Sequence, residues 1–389
     1  MRLEDLIAKV NPDWIHLIGG ENGLGRNVDW VHMVGSVEIA DFLKGDEIAF
    51  TTGVGLRENN TLMMLVESVY KNHASGMIIN IGPYIQEIPK EVILFADTHD
   101  FPIFESPWEV HLADIMRIFS VAIQESQQKT MELSALFRYA IFTNEKKELY
   151  VPSLVEKDYS IQWNYTILLL TFLDTQGRAI DGKQKEKYKR NLENNLNNNF
   201  NKSIVFLDYS RFVCVLANTN EKAASRYAQK LCEKLKKETK DKFYISIGPT
   251  SNGLFRLYDS YHMALKMLAY IQYVNQPKEV CTYDSMGILR LLFQIDDVKY
   301  FKSYYQKTIM KIDEYDALNQ TNLMETLNVY LKCNGSTQKT ANCLFVHRNT
   351  VLYQLKKIEG ILNMDLNDFS NRMECSVGIM AKVLQKINV

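Results

Sequence analysis

The chain has 389 residues, long enough for two or three domains, and 46% of them are hydrophobic, enough to fill real cores. Lys and Arg number 45 against 46 Asp and Glu, a formal net charge of -1, so any cationic surface has to be local. Asp5, Lys9 and Asp13 interrupt the start, and apolar runs such as Thr166 to Leu173 are far too short to span a bilayer; both features predict a cytoplasmic protein without a membrane partner.

Residues 1 to 110 alternate short apolar runs with helical stretches. Glu47 to Phe50, Gly76 to Ile81 and Pro102 to Glu105 read as strands; Leu62 to His73 and Val92 to His99 read as helices. Strand–helix–strand order with apolar strands predicts an α/β domain with parallel pairing. Thr51, Thr52, Gly53 and Gly55 follow one strand, and Gly82 and Tyr84 follow another. Loops at the carboxyl ends of parallel strands are where such folds bind ligands, so these six residues are the candidate effector site. Gly53 and Gly55 would let backbone approach a small molecule, and the Thr hydroxyls would fix it. The competing reading is ordinary chemistry of tight β–α turns.

Residues 111 to 150 form a helical linker. From His111 to Ile141 there is no Pro or Gly, and Leu112, Ile115, Phe119, Ala122, Leu133, Leu136, Phe137 and Ala140 make an apolar stripe broken at Ser126 to Thr130. The reading favours pairing with a second copy over folding back on its own domain.

Residues 151 to 295 show a β-α-β-β-α-β rhythm, which predicts a ferredoxin-like core. Its strands are Tyr165 to Leu173, Ser203 to Leu207, Phe212 to Ala217 and Phe243 to Gly248; its helices are Lys183 to Asn198 and Glu221 to Lys240, with Leu257 to Tyr273 beyond.

Residues 296 to 389 contain the most informative stretch, Gly335 to Leu362. Gly335 is suited to a left-handed helix end and Ser336 to an N-cap, so a short helix is expected over Thr337 to Leu344. A turn over Phe345 to His347 leads to a second helix from Arg348. There Val351, Leu352, Leu355, Ile358 and Leu362 recur at helical period and should face the core. The opposite face carries Arg348, Asn349, Tyr353, Lys356 and Lys357. From Lys332 to Gly360 five cationic residues stand against Glu359 alone. This is the layout of a helix-turn-helix that enters the major groove of double-stranded DNA. His347, Arg348, Asn349, Thr350, Tyr353, Gln354, Lys356 and Lys357 are the candidate contacts: Arg forks onto guanine, Asn onto adenine, and Lys meets phosphate. Periodicity alone would favour a plain helical hairpin with a solvated basic face; the cap, the short first helix, the tight turn and Arg348-Asn349-Thr350 at the start of the second helix shift the reading to DNA.

The residues Leu327 to Leu366, with Ala341, Leu344, Val346 to Thr350, Tyr353, Leu355, Ile358 and Glu359 in register, resemble the C-terminal domain of PucR-type bacterial regulators. Trp30 to Asn60 and Gly76 to Val110 are similar to the PucR N-terminal sensory domain. Gln354 departs from the Arg that the family usually has, and Gly360 also departs. The middle region resembles the nucleotide-cyclase fold of GGDEF domains, but its hairpin reads Asp208-Tyr209-Ser210-Arg211-Phe212, without the two glycines or the second acid. The resemblance implies a small-molecule effector, often from purine or nitrogen breakdown.

No zinc-protease, Walker A or G-x-S-x-G signature is present, and His16, His32, His73, His99, His111, His262 and His347 are scattered. The six cysteines contain no C-x-x-C pair and read as free thiols; redox sensing at Cys333 or Cys343 ranks below simple packing. The expectation is an α+β multidomain transcriptional regulator, with no enzyme activity, cofactor or metal, acting as a homodimer or higher homo-oligomer on DNA. The alternative is a nucleotide-binding or cyclase-type signalling protein built on the central domain.

Overall fold

Glu47–Thr51 (β3) is buried at all five positions, and Gly76–Ile81 (β4) at five of six, as apolar runs in a covered parallel sheet require. The computed structural model describes residues 1–57, 61–143, 147–274 and 279–387, in two units, Met1–Ala135 and Leu136–Val389. Residues 58–60, the end of the first sensory-like segment, lie outside the described residues.

In the first unit, β3 and β4 are joined through α3 (Leu62–Lys71), whose N-cap Thr61 accepts from the Met64 amide. Lys90–Thr98 (α4) and Ile103–Pro107 (β5) follow. Two further strands extend the sheet: His16–Gly19 (β1) and Trp30–Met33 (β2), flanked by Leu3–Ile7 (α1) and Val37–Ala40 (α2). The order is β1-β5-β4-β3-β2, parallel throughout except for β1. Both new strands are four-residue edge strands with half-wet patterns, so neither produces an apolar run in the sequence.

One sheet face packs on α3 and α4 through Leu65, Val66, Val69, Met77, Ile79, Val92 and Ala96. The other is covered by the start of α5 (Leu112–Phe142): Leu112, Ile115, Phe119 and Ile123 meet Ile48, Phe50, Ile78 and Phe104. The rings of Phe50 and Phe119 lie 5.9 Å apart, edge to face. This corrects the expectation for the linker. The first part of its stripe is used by its own sheet, because an uncovered sheet face next to an apolar helix buries roughly 1.5–3 kcal/mol per large side chain. Beyond it, Met131 is strongly exposed.

The second unit begins with Phe137, Ala140 and Ile141, all buried. After Val151–Glu156 (α6) come Asn164–Leu173 (β6), Gly182–Asn199 (α7), Ser203–Asp208 (β7), Arg211–Ala217 (β8), Glu221–Glu238 (α8) and Lys242–Ile247 (β9). The strand order β9-β6-β8-β7 is antiparallel at each pairing and is the ferredoxin-like arrangement predicted by the rhythm. Short strands Ser251–Asn252 (β10) and Val280–Thr282 (β11) attach to β6 and β9, and Leu257–Tyr273 (α9) packs on the sheet.

The rest of the chain is helical: Leu289–Leu292 (α10), Val298–Thr308 (α11), Met310–Asn319 (α12), Leu323–Lys332 (α13), Thr337–Leu344 (α14), Arg348–Leu362 (α15) and Phe369–Leu384 (α16). Their shared core includes Ile309, Ile312, Leu323, Leu327, Tyr330, Val351, Leu355, Ile358 and Cys375. Asp313 ties the two ends of this region, accepting from Tyr305 Oη and pairing with Lys382 at 2.7 Å. No helix among the described residues is long and apolar enough to cross a membrane.

Candidate nucleic-acid interface

The start of α14 is set by two consecutive left-handed residues, Asn334 and Gly335 (φ 53° and 76°). They turn the chain out of α13, and the Ser336 hydroxyl then accepts from the Lys339 amide. The helix ends as abruptly. Phe345 adopts φ 55°, and the Val346 amide reaches back to the Ala341 carbonyl at 3.0 Å, satisfying an orphan acceptor.

His347 starts α15: its Nδ1 accepts from the Asn349 amide at 3.2 Å, so the imidazole is the N-cap. Val351, Leu355, Ile358 and Leu362 go into the core. His347, Arg348, Asn349, Thr350, Tyr353 and Lys356 all face solvent. Arg348 Nε donates to Thr337 Oγ1 at 3.4 Å, steadying the guanidinium at the joint start of both helices. The first turn of α15 therefore presents two side chains that can read base edges, at the positive end of a helix dipole that attracts phosphate.

Three expected positions differ. Leu352 is 38% exposed rather than core, at the edge of the buried stripe. Gln354 is half-buried, and its Oε1 accepts from Thr326 Oγ1 at 2.9 Å; it braces α15 against α13. Lys357 lays its ammonium over the Tyr315 ring at 4.8 Å, with Tyr353 at 5.9 Å. Contact with the Tyr315 hydroxyl raises its pKa, so the charge is kept. Two apolar residues were missed as part of this surface: Phe345, 96% exposed at the turn, and Val346 beside it.

In the first unit the two expected loops do meet, but their bare faces are occupied. A Cβ on Gly53 would lie 2.5 Å from Ile85, one on Gly55 would lie 2.1 Å from the Gly35 carbonyl, and one on Gly82 would strike the Trp108 ring at 2.3 Å. These glycines admit the chain's own neighbours, which replaces the expected role of admitting a ligand. Thr51 is fully buried and its hydroxyl accepts from the Gly53 amide. Thr52 is half-buried. Tyr84 is exposed, 6.1 Å from Trp108, and these rings with Val54 form the open apolar surface of this strand end.

In the central domain, Tyr209 occupies the hairpin tip at φ 53°. Asp208 is only 4% exposed and accepts from Tyr261 Oη at 2.7 Å and from Arg211 at 3.0 Å. The remaining acid of the hairpin is thus committed to holding the fold. No group of three or more His, Cys, Asp or Glu among the described residues is placed to hold a metal.

Comparison with known proteins gives three matches in chain order. Residues 6–123 match the Purine catabolism regulatory protein-like family, residues 158–270 a GGDEF-like domain, and residues 323–381 the PucR C-terminal helix-turn-helix domain. The proline-responsive transcriptional activator PutR of Bacillus subtilis is 27% identical over 332 residues, 82% of this chain and 75% of that one. The purine catabolism regulatory protein of the same organism is 32% identical over 130 residues, 33% of this chain and 24% of its own length. A crystal structure of a regulator of polyketide synthase expression from Bifidobacterium adolescentis aligns at 14% identity, covering 64% of this chain and 92% of that one, with a TM-score of 0.31.

Proposed function

Because this chain belongs to the PucR family of transcriptional regulators, we propose that it reads duplex DNA with the first turn of α15 and changes that reading when a small metabolite binds its N-terminal unit. One observation carries the DNA half: Arg348 and Asn349 stand in solvent at a capped helix start, on a helix whose opposite face is locked into the core. Such an arrangement can enter a major groove without unfolding anything. Lys356 and the start of α14 with Lys339 supply phosphate contacts on either side.

The protein acts in the cytoplasm, as two or more copies on paired half-sites, the usual geometry for helix-turn-helix readers. The effector is a small nitrogen-containing metabolite, by analogy with relatives whose names cite proline and purine catabolism. Support for its site comes from the strand ends where Val54, Tyr84 and Trp108 are exposed, an apolar aromatic surface at the place where α/β domains hold ligands. The central domain serves as a structural relay without catalysis, a reading supported by the burial of Asp208. The test is selection of genomic fragments on the purified protein, followed by gel shifts on the fragments recovered. Recovery of a shared sequence supports the reading; retention of all fragments alike, unchanged in Arg348→Ala, overturns it.

A further inference from the structure

Cys333 ends α13 and Cys343 lies in the last turn of α14, and their sulfurs are 3.9 Å apart. They line a hollow of about 380 Å³ together with Lys332, Asn334, Lys339 and Asn342. The other four cysteines are buried, and burial pushes their thiols up, to about 12 for Cys281 and about 11 for Cys375. Oxidants arriving from solvent therefore meet these two thiols first. Lys332 and Lys339 line the same hollow, beside the two sulfurs.

We propose that Cys333 and Cys343 are a paired modification site that closes into an intramolecular disulfide on contact with a hydroperoxide. One thiolate attacks the O–O bond, which breaks; hydroxide leaves and a sulfenic acid forms. The second thiolate attacks that sulfur, the S–S bond forms, and the S–O bond breaks with loss of a second hydroxide. Two thiols give up two electrons and two protons, and hydrogen peroxide becomes two waters. The sulfurs must approach by about 2 Å to reach bonding distance. Rotation of Cys343, which is exposed, can supply much of that. The hydrogen bond shared with Cys333 raises the Cys343 pKa, so closure is faster in mildly alkaline solution.

This inference does not rest on the DNA reading, and its test involves no DNA. The full-length protein is treated with hydrogen peroxide, its remaining thiols are alkylated, and tryptic peptides are weighed. Lys332, Lys339 and Arg348 place the two cysteines on separate peptides, 333–339 and 340–348. The expected result is those peptides joined within one molecule, two hydrogens lighter than their sum and separated by dithiothreitol. Cys343→Ser and Cys333→Ser, each shown by circular dichroism to be folded, should each lose the link. A Cys343 sulfinic acid beside a free Cys333, a link between two molecules, or two unreacted thiols while free glutathione is oxidised in the same tube would each overturn the proposal.

Discussion

Arg348 and Asn349 are the residues on which sequence preference should turn. Each is exposed and can make a paired contact with one base, so Arg348→Ala and Asn349→Ala should each cost about 1–3 kcal/mol of specific binding and relax preference at one position. Gel shifts on matched and single-mismatch duplexes measure both effects. Gln354→Ala should behave differently. Its carbonyl accepts from Thr326 inside the helix bundle, so about 0.5–1.5 kcal/mol of folding stability is lost in urea unfolding while base preference stays unchanged. The same contrast shows what was legible in the sequence. Helical period separated most of the buried stripe from the wet face, with Leu352 the exception, and Ser336 marked the start of the first helix as its cap. Period does not say how a long polar side chain at the edge of the stripe will bend. Gln354 and Lys357 both sit at that edge, and each turned toward a partner on another helix, Thr326 or Tyr315, whose position no local pattern records.

Elements with strong local signals were read well: α14 and the start of α15 follow from Gly335, Ser336 and a turn, and β3 and β4 from unbroken apolar runs. The misses are elements whose form depends on neighbours. Strands β1 and β2 have four residues each and exist because β5 and β3 offer free edges. The start of α5 covers a sheet because that face was open, which the stripe alone could not distinguish from a seam for a second copy. Tight contact between elements gives a test in the first unit. Gly82→Ala would push a methyl group into the Trp108 ring, so it should destabilise that unit by about 1–3 kcal/mol, as overpacking does. Thermal or urea unfolding followed by tryptophan fluorescence measures it. The turn gives the opposite expectation. Phe345 is left-handed and bathed in solvent, so Phe345→Asn should leave stability unchanged or raise it by up to about 1 kcal/mol. A thermal melt decides this, and a loss above that size would mean that Phe345 holds the fold.

At the scale of the whole molecule, charge is the lever. The chain as a whole is close to neutral, so its attraction to DNA has to come from the local cluster around α14 and α15. Binding should fall steeply between roughly 50 and 200 mM salt, in proportion to the few phosphates met. Lys356→Ala should lower that slope by about one unit for every duplex tested, without changing which duplex is preferred. Flat binding across that salt range would point to a protein target for the helix-turn-helix. Sedimentation equilibrium checks the number of copies, with a pair expected. Finally, the boundary between Ala135 and Leu136 falls within α5, a single helix of 31 residues free of proline and glycine. Exchange of sensor regions among relatives cannot splice freely at such a junction, as it could in a slack loop. A crossover there has to keep the run of helix-forming residues unbroken, since a proline introduced at the join would cost the helix about 3 kcal/mol.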